Sequence, residues 1–432
     1  MYAKLDGQSR QVRTPRGPAE HRVHHVGPLP IIRHFLDRMA FSRIVASCLG
    51  TGREAPGHAQ TLALLIQNIL LSPSPLYRIA EWSAPFSAAT LGLTPSEKAS
   101  INDDRVARSL DALVSIRSRS LFFRMALHVI KQFEIDTRRI HHDTTTVTFH
   151  GRYATSFAEP RLTQGMNKDH RPDLKQLVFG INVAADGAVP LSHEIYSGNR
   201  TDDTVHQGNV DCLRQLIGRD DFIYVADCKL ATRKNLEHIA GYGGKFVSIL
   251  PRTRAEDQLF RRQLREGQPV RWRRFLVLEN KRRLSDPPDV YSTTNGGPLK
   301  TVEGYRLLWC RSSQKVEVDS RAREAVLEKA KTELFDLASR ANTGALRTRS
   351  SILRQAKALL HKLQCRGFFE LRIRSEVHIE TRRLRRGRPR KDDLVRQVRS
   401  SIFRLEYGRD EKALRAEART DGVFPVVTNL AP

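Results

Sequence analysis

Cysteine is scarce in this 432-residue chain, which has five. Cys48, Cys212, Cys228, Cys310 and Cys365 are odd in number, far apart, and form no CxxC pair or zinc-ligand ladder. A disulfide framework and a cysteine zinc site are therefore not expected, and the chain reads as reduced and cytoplasmic. Long apolar runs are missing too. Nothing approaches the roughly 18 consecutive apolar residues that a span needs, so no membrane partner is expected. The basic N-terminus has neither an apolar core nor a small-residue cleavage site, so it does not read as a signal peptide. Acidic residues are the third shortfall: 47 Asp and Glu face 73 Lys and Arg, a formal net charge of +26. Such an excess favours a polyanionic partner, because each neutralised phosphate releases counterions. A solvated basic surface or ribosome association would carry the same excess, but nucleic acid is the leading expectation.

What is present changes character along the chain. Residues 1–25 are polar and rich in Arg and Gly, a disordered basic tail by composition. Apolar residues then recur at helical spacing. Ile31, Ile32, Phe35 and Met39 form one set, and Leu62, Leu65, Ile66, Ile69 and Leu70 another. Val106, Leu110 and Leu113 form a third, with Asn102 as the cap before it. Residues 26–134 are therefore predicted as a helical N-terminal domain, either a DNA-binding helical unit or a plain bundle. From Arg139 to Phe149 the density of β-branched residues predicts a strand. Leu177, Phe179, Ile181 and Val183 alternate with Val178, Gly180 and Asn182 to give a second. Asp186-Gly187 predicts a two-residue hairpin, and Pro190 to Tyr196 returns as a third strand. A helix over 202–218, a short buried strand Phe222 to Ala226, a helix around Arg233 to Ala240 and a strand Lys245 to Leu250 follow. Residues 135–250 thus read as an α/β core. Residues 251–400 read as a largely helical insert. Val326, Ala330, Leu334 and Leu337 give one seam, and Leu353, Ala356, Leu360 and Leu363 the other. Asn342-Thr343-Gly344 separates them into a helical hairpin. Phe275 to Leu278 and Tyr305 to Cys310 are strand-like pieces around it. Within residues 401–432, Ile402 to Leu405 and Val423 to Thr428 are predicted strands, read as a return to the core.

Two carboxylates stand out in this frame. Asp143 lies within the first strand and Asp227 at the end of a later one, 84 positions on (227 − 143). In α/β sheets ligands gather beyond the carboxyl ends of parallel strands. If the two strands are neighbours, both carboxylates face one hard cation such as Mg²⁺, which takes oxygen ligands and few protein groups. A pair of such ions about 3.5–4 Å apart activates a water or a 3′ hydroxyl and stabilises the leaving oxygen. That chemistry cuts and joins phosphodiesters. Alternatives stand beside it. A lone Asp at a strand end is commonly a turn former or helix cap, which suits Asp227. It suits Asp143 less, because three threonines follow it in a predicted central strand. His141 and His142 are open to a ligand role or to a stacked, hydrogen-bonded one.

Four segments carry a resemblance. They are His142-Asp143-Thr144-Thr145-Thr146-Val147, residues 167–176 (NKDHRPDLKQ), Ser197-Gly198-Asn199-Arg200-Thr201-Asp202 and Val225-Ala226-Asp227-Cys228-Lys229-Leu230. Together they resemble bacterial insertion-sequence DDE transposases of the IS-four type, the group with a long insert before its last acid. The resemblance runs from about residue 25 to the C-terminus, and Lys168 to Gln176 is its most specific part. It implies an α/β fold with an RNase H-like mixed-sheet core, an N-terminal helical domain and a largely helical insert. It puts the first two catalytic, metal-holding acids at Asp143 and Asp227. The implied cofactor is Mg²⁺, with Mn²⁺ as a substitute. The implied partner is double-stranded DNA, both the inverted repeats at the element's ends and a target. Pairing of ends implies a homodimer on DNA and a nucleoid-associated location in the cytoplasm. The family's third acid is a Glu on a helix after the strand matching Val423 to Thr428. Here the sequence reads Thr428-Asn429-Leu430-Ala431-Pro432. The chain is therefore read as C-terminally truncated, with weak metal binding and poor turnover. Glu370, Glu376, Glu380 and Glu406 precede the returning strand and read as surface charges rather than stand-ins.

Two basic regions are DNA-contact candidates. Lys168, His170, Arg171 and Lys175 lie before the second strand, as a phosphate clamp or a solvated loop. In Arg386-Gly387-Arg388-Pro389-Arg390 the spacing looks like the core of an AT-hook, whose arginines favour a narrow minor groove. A flexible basic linker fits the same residues, and either adds phosphate affinity with little sequence reading. Three functions follow. The first is a DNA transposase impaired by loss of its third acid. The second is an inactive DNA-binding remnant that inhibits intact copies. The third is an RNase H-like nuclease acting for the host, against which the long insert and the Lys168 to Gln176 motif argue.

Overall fold

The computed structural model describes residues 23–50, 55–115, 118–151, 153, 159–166, 171–279, 287–383 and 395–431. Those residues fall into two compact units. One lies within Met1–Thr137, Thr145–Leu162 and Leu177–Ser197, the other within Arg138–Thr144, Thr163–Gln176 and Gly198–Pro432.

The first unit holds the helices α1 (Leu29–Arg38), α2 (Phe41–Leu49), α3 (His58–Leu71), α4 (Ile79–Ser83), α5 (Ala88–Leu91), α6 (Pro95–Ala99), α7 (Asp103–Ser115) and α8 (Ser118–Gln132). Caps written in the sequence delimit them. The Ser87 side chain accepts from the Thr90 amide, Thr94 and Glu97 form a capping box, and Asn102 accepts from the Arg105 amide at 2.9 Å. Leu29, Leu64, Ile79 and Val106 are fully buried in one core cluster. Phe41, Val45 and Leu62 centre a second. Helix α8 brings Phe122 edge-on to His193, 4.7 Å between centroids, and His193 stacks on Phe179.

The strands begin with β1 (Arg139–Phe149), β2 (Thr163–Gln164), β3 (Lys175–Ala184) and β4 (Pro190–Ser197). Then come α9 (His206–Ile217), β5 (Ile223–Val225), α10 (Arg233–Gly241) and β6 (Lys245–Ile249). Across the sheet the order β4-β3-β1-β5-β6, with β3 and β4 antiparallel and β1, β5 and β6 parallel, is that of an RNase H-like core. The connection from β3 to β4 is longer than the predicted two residues. Asp186 accepts the Asp136 amide at 3.1 Å, Gly187 and Ala188 both take positive φ, and a bulge falls between Asn182 and Val183. Those features bend the chain into a wider loop.

The segment after β6 is richer in strands than its helical periodicity implied. It adds α11 (Ala255–Arg265), β7 (Arg273–Leu278), β8 (Asp289–Thr294), β9 (Arg306–Ser312), α12 (Ser313–Ser339) and α13 (Arg349–Lys362). It continues with β10 (Phe369–Arg383), β11 (Val395–Arg409), α14 (Glu411–Ala418) and β12 (Val423–Thr428). Strand β12 inserts antiparallel between β6 and β9, and β8 and β7 extend the sheet beyond β9. Of the two strands predicted in 401–432, β12 alone lies in this sheet, because β11 pairs with β10 in a separate two-stranded ribbon. Helices α12 and α13 form the predicted hairpin, with positive φ at Asn342 and Gly344 in the break. Their seams are displaced by one residue at the start. Leu327 and Ile352 are buried where Val326 and Leu353 were predicted, because the ribbon base packs on the pair as a third layer and widens the buried stripe.

Candidate active site

Strand β1 alternates cleanly: Ile140, His142 and Thr144 are buried, while Arg139, His141, Asp143 and Thr145 face solvent. Period-two burial of this kind marks one packed and one open sheet face. Its parallel register with β5 pairs Arg139 with Ile223, Ile140 with Tyr224 and His141 with Val225. Asp143 and Asp227 each stand two residues beyond that last pair, and both are exposed.

Local bonds fix both acids. Asp143 Oδ1 accepts the Thr144 amide at 2.8 Å. Asp227 Oδ1 accepts the Lys229 amide at 2.9 Å, so this acid also shapes the turn that leaves β5. Its carbonyl takes the Ser248 hydroxyl at 2.6 Å and the Leu230 amide at 3.1 Å, which ties the turn to β6. On the packed face, Thr144 Oγ1 donates to Asp202 Oδ1 at 2.8 Å, so the Ser197 to Asp202 segment is bonded to β1 one residue from Asp143.

Behind the open face lies a polar network in which His142 takes the stacked, hydrogen-bonded role that the sequence left open, while His206, Asn209 and Tyr224 were not foreseen as its partners. His142, His206, Asn209 and Tyr224 are all buried. Asn209 Nδ2 donates to the Tyr224 hydroxyl at 2.9 Å and lies 3.1 Å from His142 Nδ1, while His206 Nδ1 lies 3.1 Å from the same hydroxyl. His142 stacks on Tyr224 at 5.9 Å. Burial, then the neighbouring His142, pushes His206 down to about 4 against the opposing charge of Asp203. His206 is therefore neutral near pH 7. The signal available beforehand was the polarity of His206 and Asn209 on the apolar stripe of a predicted helix.

The motif segments converge on a second feature. Gln176 is buried, and its Nε2 donates to the carbonyls of Gly198 at 2.7 Å and Met166 at 3.3 Å. A side chain at Gly198 would overlap the Gln176 carbonyl oxygen and stand 2.5 Å from that of Thr163. The glycine is required by close approach of three backbone segments.

The candidate DNA contacts divide. Lys168, His170, Arg386, Arg388 and Arg390 lie outside the described residues. Arg171 is exposed but engaged in a two-bond ion pair with Asp173, at 2.9 and 2.7 Å. Lys175 opens β3 opposite Gln164 and is half-buried. Glu376, Glu380 and Glu406 sit on the ribbon in ion pairs with Arg404, Arg382 and Arg374. Beside Asp227, a cavity of about 430 Å³ is lined by Cys228, Leu250, Arg252, Tyr291, Lys315 and Phe424, among others.

Two exposed carboxylates of hard oxygen chemistry, Asp143 within β1 and Asp227 just after the neighbouring β5, are of the kind that a divalent cation of the Mg²⁺ class takes, which needs one or two such ligands and completes its shell with water. Among the described residues, no group of three or more His, Cys, Asp or Glu is gathered closely enough to hold a metal ion. Among the described residues, no helix is long and apolar enough to cross a membrane.

A family model described as a domain of unknown function, DUF4277, matches residues 21–127. No curated protein matches the chain. Similar solved structures include transposases. One is a piggyBac transposase synaptic complex with hairpin DNA, at 11% identity and a TM-score of 0.35, covering 69% of this chain and 63% of that one. Another is a Mos1 transposase paired-end complex with the left transposon end, at 12% identity and a TM-score of 0.18, covering 45% and 60%. A Mos1 mariner paired-end complex with Mn matches at 13% identity and a TM-score of 0.19, covering 52% and 75%. The chain thus spans less than two thirds of the length of the piggyBac chain.

Proposed function

We propose that this chain binds double-stranded DNA and cuts and rejoins its phosphodiester bonds in the manner of a DDE transposase, with Asp143 and Asp227 as the metal-holding carboxylates. One observation carries the reading. The two acids lie two residues past a registered pair on adjacent parallel strands, on the open row of the sheet. Neighbouring strands lie about 4.8 Å apart, which supports a shared ion between Asp143 within β1 and Asp227 just after β5. Ligands collect at this end of parallel strands.

When bound, a divalent cation of the Mg²⁺ or Mn²⁺ class supplies an activated oxygen nucleophile and neutralises charge on the leaving oxygen. The protein's own residues do the rest. Asp143 and Asp227 bind and orient. The Thr144–Asp202 and Asp227–Ser248 bonds hold the backbone beside each acid in place. A net charge of +26 draws the phosphate backbone toward the chain. The substrate class implied by the motif resemblance is the inverted repeat at each end of an insertion sequence. Two ends handled together call for two copies of the chain on DNA.

The test is cleavage of duplexes ending in the inverted repeats that flank the coding sequence, with Mg²⁺ or Mn²⁺ present. Nicking at the repeat end that disappears in Asp143→Asn and Asp227→Asn supports the proposal. Binding without cleavage in either metal selects a DNA-binding remnant. Cutting indifferent to the repeat selects a general nuclease, and neither binding nor cutting ends the proposal.

A further inference from the structure

The β10–β11 ribbon is long, regular and half unsupported. Its register runs unbroken from Phe369↔Arg409 to Arg383↔Val395, fifteen residues in each strand. At roughly 3.4 Å per residue that is a ribbon about 50 Å long. The base is anchored. Phe369 and Leu405 are buried against α12 and α13, with Leu371, Ile373, Phe403 and Tyr407 packed around them. Asn342 closes the anchor by bonding both the amide and the carbonyl of Phe403, at 2.8 and 2.9 Å. Further out the support ends. Val377, Ile379 and Val395 are 68%, 49% and 58% exposed, although they share the face that is buried at the base. A bare two-stranded ribbon is only marginally stable in water, so the outer half needs a partner.

The charge points to which partner. The strands carry eight arginines (four on each) against four glutamates (three on β10, one on β11). The excess is not even. Residues 369–376 and 402–409 hold four Arg and three Glu, whereas 377–383 and 395–401 hold four Arg and one Glu. Two like-charge pairs face each other in register, Arg374↔Arg404 and Arg382↔Arg396. Like charges directly opposite destabilise a sheet. The inner pair is neutralised, because Arg374 pairs with Glu406 and Arg404 with Glu376. The outer pair has Glu380, bonded to Arg382, as its local acid. An external anion would relieve the repulsion between Arg382 and Arg396. A two-stranded ribbon also matches the roughly 12 Å width of the DNA major groove, whose walls are phosphates.

We infer that the outer half of the β10–β11 ribbon is a DNA-binding arm that enters the major groove of a duplex, with Arg382, Arg396 and Arg399 on the phosphates. This rests on the DNA-binding reading above but assigns the contact to an element outside the sheet that carries Asp143 and Asp227. The contact positions the duplex and reads little sequence.

The experiment measures affinity of the full chain for a 30-base-pair duplex of arbitrary sequence over a salt series. The wild type is compared with Arg382→Ala/Arg396→Ala/Arg399→Ala. Losing three phosphate contacts should flatten the slope of log K against log salt by about 2.7 and weaken binding about 10- to 100-fold near 0.15 M salt. The triple Lys variant keeps three point charges at the same sites. It should retain the wild-type slope, which separates charge loss from misfolding. Guanine N7 opens into the major groove, so the wild type should protect it from dimethyl sulfate and the triple Ala variant should not. An unchanged slope and affinity in the Ala variant would overturn the arm while leaving the DNA-binding reading intact. Wild-type binding without N7 protection would overturn the groove assignment. A variant that loses self-association but keeps its DNA affinity would make the ribbon a contact between copies instead. A wild-type chain that binds no duplex at all would end both readings.

Discussion

Asp143 and Asp227 sit at equal steps, two residues each, beyond the paired His141 and Val225 of adjacent parallel strands. Equal steps matter because side chains alternate across a sheet. Residues an even number past a registered pair keep the face of that pair. Asp143 keeps that face within β1, and Asp227, in the turn just after β5, is exposed as Asp143 is. The proposed function therefore predicts a shared ligand. Mn²⁺ titration followed by electron paramagnetic resonance should find a site that Asp143→Asn or Asp227→Asn weakens at least about 10-fold, with no further loss in the double variant beyond about 3-fold. Independent, additive losses would mean that the two acids do not share an ion. Chelation of the metal should abolish cleavage and leave duplex binding in place.

The buried histidine next to this strand predicts a pH dependence. His206 is held at about 4 in the folded chain by burial and by His142, against 6.5 when unfolded. The unfolded chain therefore takes up a proton between those values and the folded chain does not. Stability from this group is complete above about pH 6.5 and is lost as pH falls toward 4, about 2 kcal/mol by pH 5. His206→Gln keeps a polar partner for the Tyr224 hydroxyl but cannot titrate. Urea unfolding at pH 7 and pH 5 should show a fall that is smaller by about 2 kcal/mol in the variant than in the wild type. Equal falls would place the pH sensitivity elsewhere.

Gly198 gives a prediction of pure shape. Alanine there meets the carbonyls of Gln176 and Thr163, both backbone atoms that cannot swing aside. Overpacking of this sort costs about 3 kcal/mol or displaces the segment. Gly198→Ala should lower the urea midpoint by a corresponding amount. Gly187→Ala, whose nearest neighbour is a Val189 methyl 3.6 Å away, pays only for its positive φ and should cost about 1 kcal/mol. If the two substitutions cost the same, close approach at Gly198 is not what selects the glycine.

The core was legible where burial and periodicity coincide. In β3, and in β1 as far as Thr144, every second residue is buried, so β-branched and alternating residues announced the strands. For β5, the five apolar residues Phe222 to Ala226 between an Asp pair and Asp227 sufficed, of which Ile223–Val225 form the strand. The ribbon was missed for a physical reason. Leu371, Ile373, Val377 and Ile379 do recur at period two, but charged residues fill the intervening positions and the partner strand lies beyond an Arg-rich stretch. Only Ile402 to Leu405 of β11 read as a strand, assigned to the core, and the Arg-rich run between the two strands read as an AT-hook core or a flexible basic linker. The two-step relation of Asp143 to Asp227 was equally out of reach, since a parallel register is set by packing across α9 and not by either strand alone.

The last prediction concerns what holds β12 in its slot between β6 and β9. Arg261 and Asp257 on α11 form an ion pair at 2.7 Å, both almost wholly out of water. The remaining guanidinium donors reach the carbonyls of Thr420 at 3.2 Å and Val423 at 2.7 Å, so one buried side chain joins helix α11 to the first residue of β12. Around it Phe260, Leu264, Trp309 and Val423 form an apolar cluster. Removing the arginine alone strands a buried carboxylate and two carbonyls. Arg261→Met should therefore destabilise by about 3–5 kcal/mol. The double variant Arg261→Met/Asp257→Leu removes the stranded charge and should recover most of that loss, because a well-packed apolar pair is often as stable as a buried ion pair. Arg261→Lys should fall between, since an ammonium keeps the charge but cannot span the three acceptors in one plane. Urea denaturation of the four proteins checks the order. A double variant no more stable than Arg261→Met would mean that the bonds to Thr420 and Val423, and not the neutralisation of Asp257, are what anchor β12.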